Sequence, residues 1–298
     1  MKVLFIINVK SGSGLGETLH QLLEEEAKSA EFDFQTYEMN CKPGEDEENI
    51  RQKIEAYSPE IVAAAGGDGT VNFLASLLSG TSLSLAIIPC GSANGMAREL
   101  GIGNDLKEAL KLLSQGDTRK IDILLINDQP SIHLADVGLN ASIVKRFDQD
   151  TKRGIRTYAK HLFTELFLLK TYKFRIEADG QKFKKRAVSL TFANASKYGT
   201  GAIINATGKL DDGCFELVIV KPFPKIKVFN IAWKMFRGTL QTSEYVEVIH
   251  CHEAHIRSQK AITLQNDGEV IGKVKDIHIK ISPQALSVIV PHDFSSKV

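Results

Sequence analysis

The chain has 298 residues, 43% hydrophobic and 24% charged, with a formal net charge of +1. That length suits two domains, each able to bury its own core, and the composition is that of an ordinary soluble globular protein. No apolar run approaches the roughly 20 residues that span a bilayer, and Met1-Lys2-Val3-Leu4-Phe5-Ile6-Ile7 turns polar too soon for a signal peptide, so a cytoplasmic protein is expected. Cys41, Cys90, Cys214 and Cys251 are scattered without a Cys-x-x-Cys pair, which argues against both a disulfide framework and a cysteine zinc site. The near-neutral total hides an asymmetry. Residues 1–60 hold 13 Asp/Glu against 6 Lys/Arg, whereas residues 145–186 hold 13 Lys/Arg against 5 Asp/Glu. A basic middle fits a face that meets phosphates or an anionic membrane, and equally a solvated rim.

In chain order, Val3 to Val9 reads as an apolar strand, followed by the polar-glycine loop Lys10-Ser11-Gly12-Ser13-Gly14 and a helix from about Glu17 carrying Leu19, Leu22, Leu23 and Ala27. Phe32 to Met39 alternates as a strand, and Glu45 to Tyr57 reads as a helix. Ile61 to Ala65 is a short apolar strand that breaks at Gly66-Gly67-Asp68-Gly69. Thr70 then opens a helix with Val71, Leu74, Ala75 and Leu78 on one face. The third such unit is Leu83 to Pro89, the loop Cys90-Gly91-Ser92-Ala93-Asn94-Gly95, and a helix with Met96, Ala97 and Leu100. Three βα units predict a parallel sheet whose loops gather at the carboxyl ends of the strands, where ligands bind.

After a short helix over Leu106 to Leu113 the pattern changes near Lys120. Strand-like segments follow at Ile121 to Ile126, Ser131 to Val137, Tyr172 to Ala178, Ala187 to Asn194, Cys214 to Val220, Val246 to Cys251, Ala261 to Leu264, Val274 to Ile281 and Leu286 to Val290. They predict a second, mainly antiparallel domain. Two helices interrupt them. One runs from Arg153 to Leu169 with an apolar stripe and a basic start. The other, Phe223 to Phe236, mixes Phe229, Ile231, Trp233 and Phe236 with Lys225, Lys227 and Lys234; packing on the sandwich is its default role and membrane contact the alternative.

The Gly66 to Asn72 turn is the strongest chemical signal. Its glycines let backbone approach a ligand, a helix N-terminus offers N–H groups to an anion, and Asp68 suggests a metal ion or a proton acceptor beside a phosphate. Alternatively, Asp68 merely closes an Asx turn. Gly208-Lys209 lacks the rest of a Walker A sequence, and Gly12-Ser13-Gly14-Leu15-Gly16 lacks the last glycine of a dinucleotide fingerprint. Asp267-Gly268 and Asp211-Asp212-Gly213 read at face value as turns. His250-Cys251-His252 with His255 invites a zinc reading, but on a strand His250 and His252 face one way and Cys251 and His255 the other.

Gly66-Gly67-Asp68-Gly69-Thr70-Val71-Asn72, Pro89-Cys90-Gly91-Ser92-Ala93-Asn94-Gly95-Met96-Ala97-Arg98 and the opening Asn8 to Gly12 resemble the nucleotide loops of the diacylglycerol kinase catalytic-domain family. That family includes bacterial diacylglycerol and related lipid kinases and the sphingosine and ceramide kinases. Leu210-Asp211-Asp212-Gly213 and Asn266-Asp267-Gly268-Glu269 extend the resemblance through nearly the whole chain. It implies an α/β plus β fold: an N-terminal phosphofructokinase-like three-layer α/β/α domain over residues 1–125 and a C-terminal antiparallel β-sandwich lipid-substrate domain over 126–284. ATP would bind in the cleft between them, and residues 285–298 would return to the first domain.

By the same resemblance, Asn8, Lys10, Ser11, Gly12, Asn40, Gly66, Gly67, Asp68, Gly69, Thr70, Asn72, Gly91, Ser92 and Asn94 would bind the nucleotide, with Asp68 acting on Mg2+. Asp267 matches the family's proposed base and Glu269 its support. A structural magnesium is implied at the Asp212 side chain and the backbone carbonyls of Lys209 and Cys214. Two positions depart from the diacylglycerol type: Phe73 and Gly95 stand where it usually carries Glu and Asp. The expected activity is ATP- and Mg2+-dependent transfer of the γ-phosphate to a lipid hydroxyl such as that of diacylglycerol or a sphingoid base. The expected partners are ATP and a lipid at the membrane surface met by peripheral, transient association, without nucleic acid; a homodimer is left open. The alternatives are a NAD kinase-like enzyme and a non-catalytic nucleotide- or lipid-binding protein.

Overall fold

A computed structural model of the chain describes residues 1–9, 15–30, 32–139, 141, 170–198 and 201–295. The helix expected over 153–169, and Lys10, Ser11 and Gly12, lie outside the described residues. The chain divides into two compact units, one of residues 1–121 with 284–296 and one of 122–283 with 297–298.

In the first unit, β1 (Lys2–Ile7), β2 (Asp33–Glu38), β3 (Ile61–Gly66) and β4 (Ser84–Pro89) form a parallel sheet ordered β4-β3-β1-β2. Its edge beyond β4 is completed by the last part of β14 (Glu269–Val290), with Ser287 opposite Ser84. β3 is buried along its whole length, as a central parallel strand covered on both faces must be. The helices are α1 (Leu15–Ala30), α2 (Pro43–Tyr57), α3 (Asp68–Leu78), α4 (Gly95–Glu99) and α5 (Leu106–Gln115). The crossover from β1 to β2 moves one way across the sheet, and those from β2 to β3 and β3 to β4 move the other. Right-handed crossovers therefore put α1 on one face and α2 and α3 on the opposite one, and α5 packs on α1. The result is three layers, α/β/α. The order reverses between β1 and β3, so the crevice beyond their carboxyl ends is where a ligand belongs.

The second unit is antiparallel. Its strands are the end of β5 (Asp117–Ile126), β6 (Gln129–Ser131), β7 (Leu134–Gly138), β8 (Tyr172–Ala178), β9 (Gln181–Ala187), β10 (Ser189–Ala193), β11 (Phe215–Val220), β12 (Val246–Cys251), β13 (Glu253–Asn266) and the first part of β14. β13 pairs with β8 through residues 254–258 and with β7 through 264–266, with a register shift between Arg257 and Ile262 that bends it from one sheet toward the other. Phe215, Leu217 and Ile219 face the main core with Phe174, Phe192, Ile256 and Ile277. Val218 and Val220 point the other way, into a second cluster with Ile231 and Leu240. That alternation is why β11 reads as a continuous apolar run. Ile231 belongs to α6 (Val228–Phe236), which follows a 3-10 turn at Lys225–Lys227.

Several expected boundaries shift for physical reasons. α3 begins at Asp68, two residues before Thr70, with Gly67 as its cap. Asp68 is thus the first helical residue instead of the middle of the turn. Ser131 to Val137 is interrupted because the Ile132 and His133 N–H groups donate to the Asp267 carboxylate instead of to a strand. β9 was not expected; its exposed Lys182, Lys184 and Arg186 alternate with Phe183, Lys185 and Ala187 in a pattern too charged to read as a strand. Ala261 to Leu264 is one piece of β13, and the segments at 274–281 and 286–290 are one strand, β14.

Candidate active site

In the first unit four loops leave the carboxyl ends of β1, β2, β3 and β4, and short contacts lock them together. The Asn8 amide donates to Thr70 Oγ1 at 3.1 Å, and the Cys41 thiol lies 3.6 Å from Asn8 Oδ1. Gly66 has no side chain because the buried Thr70 occupies that space; a Cβ there would sit 2.6 Å from Thr70 Cβ. Gly91 has none because the β3–α3 loop passes against it, 2.6 Å from where its Cβ would be to Gly67 Cα. Asn94, buried and left-handed (φ 49°), accepts from Gly91 N–H through Oδ1 and donates back to Gly91 O, both at 2.9 Å. Asn has the short polar side chain that tolerates this backbone.

These contacts create a cradle. Gly67 carries no side chain to cap α3, so the Asp68 and Gly69 N–H groups leave the helix end without an intrahelical acceptor. The Asp68 carboxylate reaches the start of α4, where Met96 N–H donates to its Oδ1 at 3.3 Å. This edge offers backbone N–H groups suited to an anion and, beside them, a carboxylate suited to a hard cation. Asn40 sits in the β2–α2 loop, where its N–H donates to Asp46 Oδ1 at 2.9 Å; Tyr37 Oη donates to the same oxygen and Lys42 N–H to Oδ2. Asp46 is buried. Burial works to raise its carboxyl, but the Asn40 N–H, the Tyr37 hydroxyl and the Lys42 and Cys41 N–H groups together hold it below the usual aspartate range.

In the second unit, Asp267 and Gly268 both have positive φ (47° and 90°) and join β13 to β14 as a two-residue turn between the paired Asn266 and Glu269. The Asp267 carboxylate does more than close that turn. Oδ1 accepts from Ser131 Oγ, His133 N–H and Leu134 N–H at 2.9–3.0 Å, and Oδ2 from Ile132 N–H at 2.9 Å. Burial pushes this carboxyl above the ordinary aspartate range, opposed by His133 and by the donors from Ile132, Ser131 and Leu134. Gly268 N–H donates to Gln265 Oε1, and Gln265 Nε2 to the buried Asp136. Glu269 is exposed.

The 209–214 turn is held by two carboxylates. Asp212 Oδ1 accepts from Cys214 N–H at 3.1 Å, and Asp122 Oδ2 from Gly213 N–H at 2.7 Å. Asp122 was missed by sequence reasoning, as were Ser131, His133 and Asp46. Asp122 carried a signal: a lone acid inside the apolar run Ile121 to Ile126, fully buried here. Ser131 and His133 carried none, since they matter through backbone and hydroxyl donors that only the fold brings to Asp267. The carboxylates of Asp212 and Asp68 are the kind of oxygen ligand a divalent cation takes.

The structure brings Asn8, Gly66, Gly67, Asp68, Gly69, Thr70, Gly91 and Asn94 together on one edge. The histidines do not converge. His250 Nδ1 lies 2.9 Å from Glu216 Oε1 and His252 Nδ1 3.1 Å from Asp179 Oδ2, while His255 pairs with Asp276. Among the described residues only His255, Asp276 and His278 hold three potential ligand atoms within 4.8 Å of one another, and Arg257 Nε already donates to Asp276 Oδ2 at 3.0 Å.

Two family models match nearly the whole chain. Residues 2–126 match the family model of the diacylglycerol kinase catalytic domain, and residues 134–290 match that of the YegS C-terminal NAD kinase beta sandwich-like domain. These define a phosphotransferase with an alcohol group as acceptor. The chain belongs to the diacylglycerol kinase catalytic-domain family, with the YegS-type second domain. A diacylglycerol kinase of Staphylococcus aureus is 28% identical over 240 residues, covering 78% of this chain and 75% of that protein. An uncharacterised protein of Synechocystis is 27% identical over 305 residues, covering 96% and 69%. The crystal structure of a diacylglycerol kinase from Bacillus anthracis superposes with a TM-score of 0.77 at 20% identity, over 99% of this chain and 98% of that one. Membership in a kinase family implies use of ATP and of a lipid substrate.

Proposed function

We propose that this protein is an ATP- and Mg2+-dependent kinase that transfers the γ-phosphate to a hydroxyl of a membrane lipid. The observation that carries the reading is the cradle at the end of β3: a helix N-terminus with no side-chain cap, a glycine-to-glycine contact with the next loop, and one carboxylate reaching across it. Phosphoryl transfer asks for positioned phosphates and neutralised charge more than for covalent chemistry. The N–H groups at 67–69, with Asn8, Thr70, Asn72, Gly91, Ser92 and Asn94, hold the phosphates and the nucleotide, joined by Lys10, Ser11, Gly12 and Asn40. Asp68 orients Mg2+, which when bound neutralises the phosphate oxygens. Asp212, with the Lys209 and Cys214 carbonyls, holds a second, structural Mg2+.

Asp267 accepts the proton of the attacking lipid hydroxyl. Its raised pKa makes it a better base than a solvated aspartate, and the donors from residues 131–134 fix its position. Glu269 supports it from the far side of the turn. Because Gly95 removes an acidic side chain that diacylglycerol kinases carry, the acceptor is left to experiment. A second reading, NAD kinase, is favoured by the name of the family model matched over 134–290.

Transfer of labelled γ-phosphate from ATP to diacylglycerol, monoacylglycerol, sphingoid base, ceramide and NAD separates the readings. Label in a lipid product is expected. Label in NAD alone would choose the rival enzyme, and ATP binding without transfer to any acceptor would leave a binding protein.

A further inference from the structure

Among the described residues seven large hydrophobic side chains are exposed, and four of them, Ile226, Phe229, Trp233 and Phe236, lie within one stretch of the second unit at 75%, 63%, 63% and 64% exposure. Such clustering is a patch, not the scatter normal on a surface. Their spacings of three, four and three residues put them on one side of α6 and the turn before it. The opposite side packs inward through Ile231 and Met235 against Val218 and Val220 of the sheet. A helix apolar on both sides belongs in a core or against a second apolar medium.

The charge around the patch selects the medium. From Lys221 to Ser243 there are five cations, Lys221, Lys225, Lys227, Lys234 and Arg237, and no Asp or Glu. Arg237 lies over the Trp233 ring, 5.3 Å from its centroid, and Lys234 Nζ is held by Thr242. Aromatic rings ringed by lysine and arginine are the composition of helices that lie in the plane of an anionic bilayer surface. Self-association through this face would bring two sets of five cations together. Among the described residues no helix is long and apolar enough to cross a membrane, so the expected mode is shallow insertion.

We infer that the α6 face is an interfacial anchor: Ile226, Phe229, Trp233 and Phe236 enter the headgroup boundary of an anionic bilayer, and the flanking cations meet its lipid phosphates. The inference deepens the lipid-kinase reading and rests on it for purpose, but its test does not require phosphoryl transfer. Trp233 is the only tryptophan in the chain, so its emission reports the site directly. The full chain is titrated, without ATP, with vesicles of phosphatidylglycerol and phosphatidylcholine, and with phosphatidylcholine alone.

The expected result is a shift of Trp233 emission to shorter wavelength and quenching by bromine-labelled acyl chains, stronger on anionic vesicles and weakened by salt. Phe229→Ser with Phe236→Ser should weaken vesicle partitioning by about tenfold or more per ring and leave phosphorylation of a water-soluble short-chain acceptor unchanged. Emission that stays put while the protein sediments with vesicles would overturn the inference by placing the contact elsewhere. So would emission already at short wavelength without lipid, with the double variant converting a dimer to a monomer in light scattering, because the occupant would then be a second copy. A protein that docks through Trp233 yet phosphorylates no lipid keeps the anchor and loses the kinase reading.

Discussion

At the scale of single residues, two glycines and Asp267 carry the account. Gly91→Ala would place a methyl group 2.6 Å from Gly67 Cα, so the β3–α3 and β4–α4 loops must part. Overpacking of this kind costs about 1–3 kcal/mol, so the melting temperature should fall by a few degrees, and because the strain falls on the cradle, the KM for ATP should rise by about tenfold or more. An unchanged KM would mean that the phosphates sit elsewhere. Asp267 makes a signed prediction. Its pKa lies above the usual aspartate range, so the acid limb of kcat/KM should fall above that range as the base becomes protonated. Asp267→Asn should remove activity at every pH, whereas Ser131→Ala, which deletes one of the donors to its carboxylate, should move the limb further upward and keep measurable turnover. A retained acid limb in Asp267→Asn would assign the titration to another group.

At the scale of elements, the β2–α2 connection is pinned by Asp46. Its folded pKa is depressed, so the stability it contributes is present above the unfolded aspartate value of about 3.9 and is lost as pH falls through the lower, folded value. Asp46→Asn should cost roughly 1–3 kcal/mol at neutral pH and flatten that acid loss in a thermal-melting series. An unaltered acid slope would show that other carboxylates control it. The βα units were legible because each pairs a short apolar strand with a helical stripe, and glycine marks each junction. β9 was not, because a strand with one face fully solvated hides behind its lysines. The α3 start was misread by two residues because a glycine cap leaves no side-chain signature. Asp267 looked like a hairpin residue and is one; its grip on residues 131–134 depends on a contact 133–136 positions away in sequence, which no local pattern records.

At the scale of the whole molecule, the chain consists of an α/β unit and an antiparallel unit, each with its own buried apolar core. Ordered motifs made this plan readable, whereas most of the polar interior of the second unit, with Asp136, Asn194 and Glu216 buried, was invisible because each of those residues looks unremarkable alone. If Asp212 holds a structural cation, Mg2+ should raise the melting temperature of the intact chain with a dependence on its concentration, and Asp212→Ala should abolish that increment. An equal increment in the variant would place the cation elsewhere.

The central claim is that the cradle around Gly66, Gly67, Asp68 and Gly91 directs the γ-phosphate of ATP to a lipid hydroxyl. Its most direct measurement is the initial rate at which label from γ-labelled ATP enters the solvent-extractable lipid fraction, for the intact chain and for Asp68→Ala. The account predicts Mg2+-dependent incorporation that falls by about 10² or more in the variant. Incorporation at the same rate in Asp68→Ala, or label that never leaves the aqueous phase with any lipid acceptor, would contradict it.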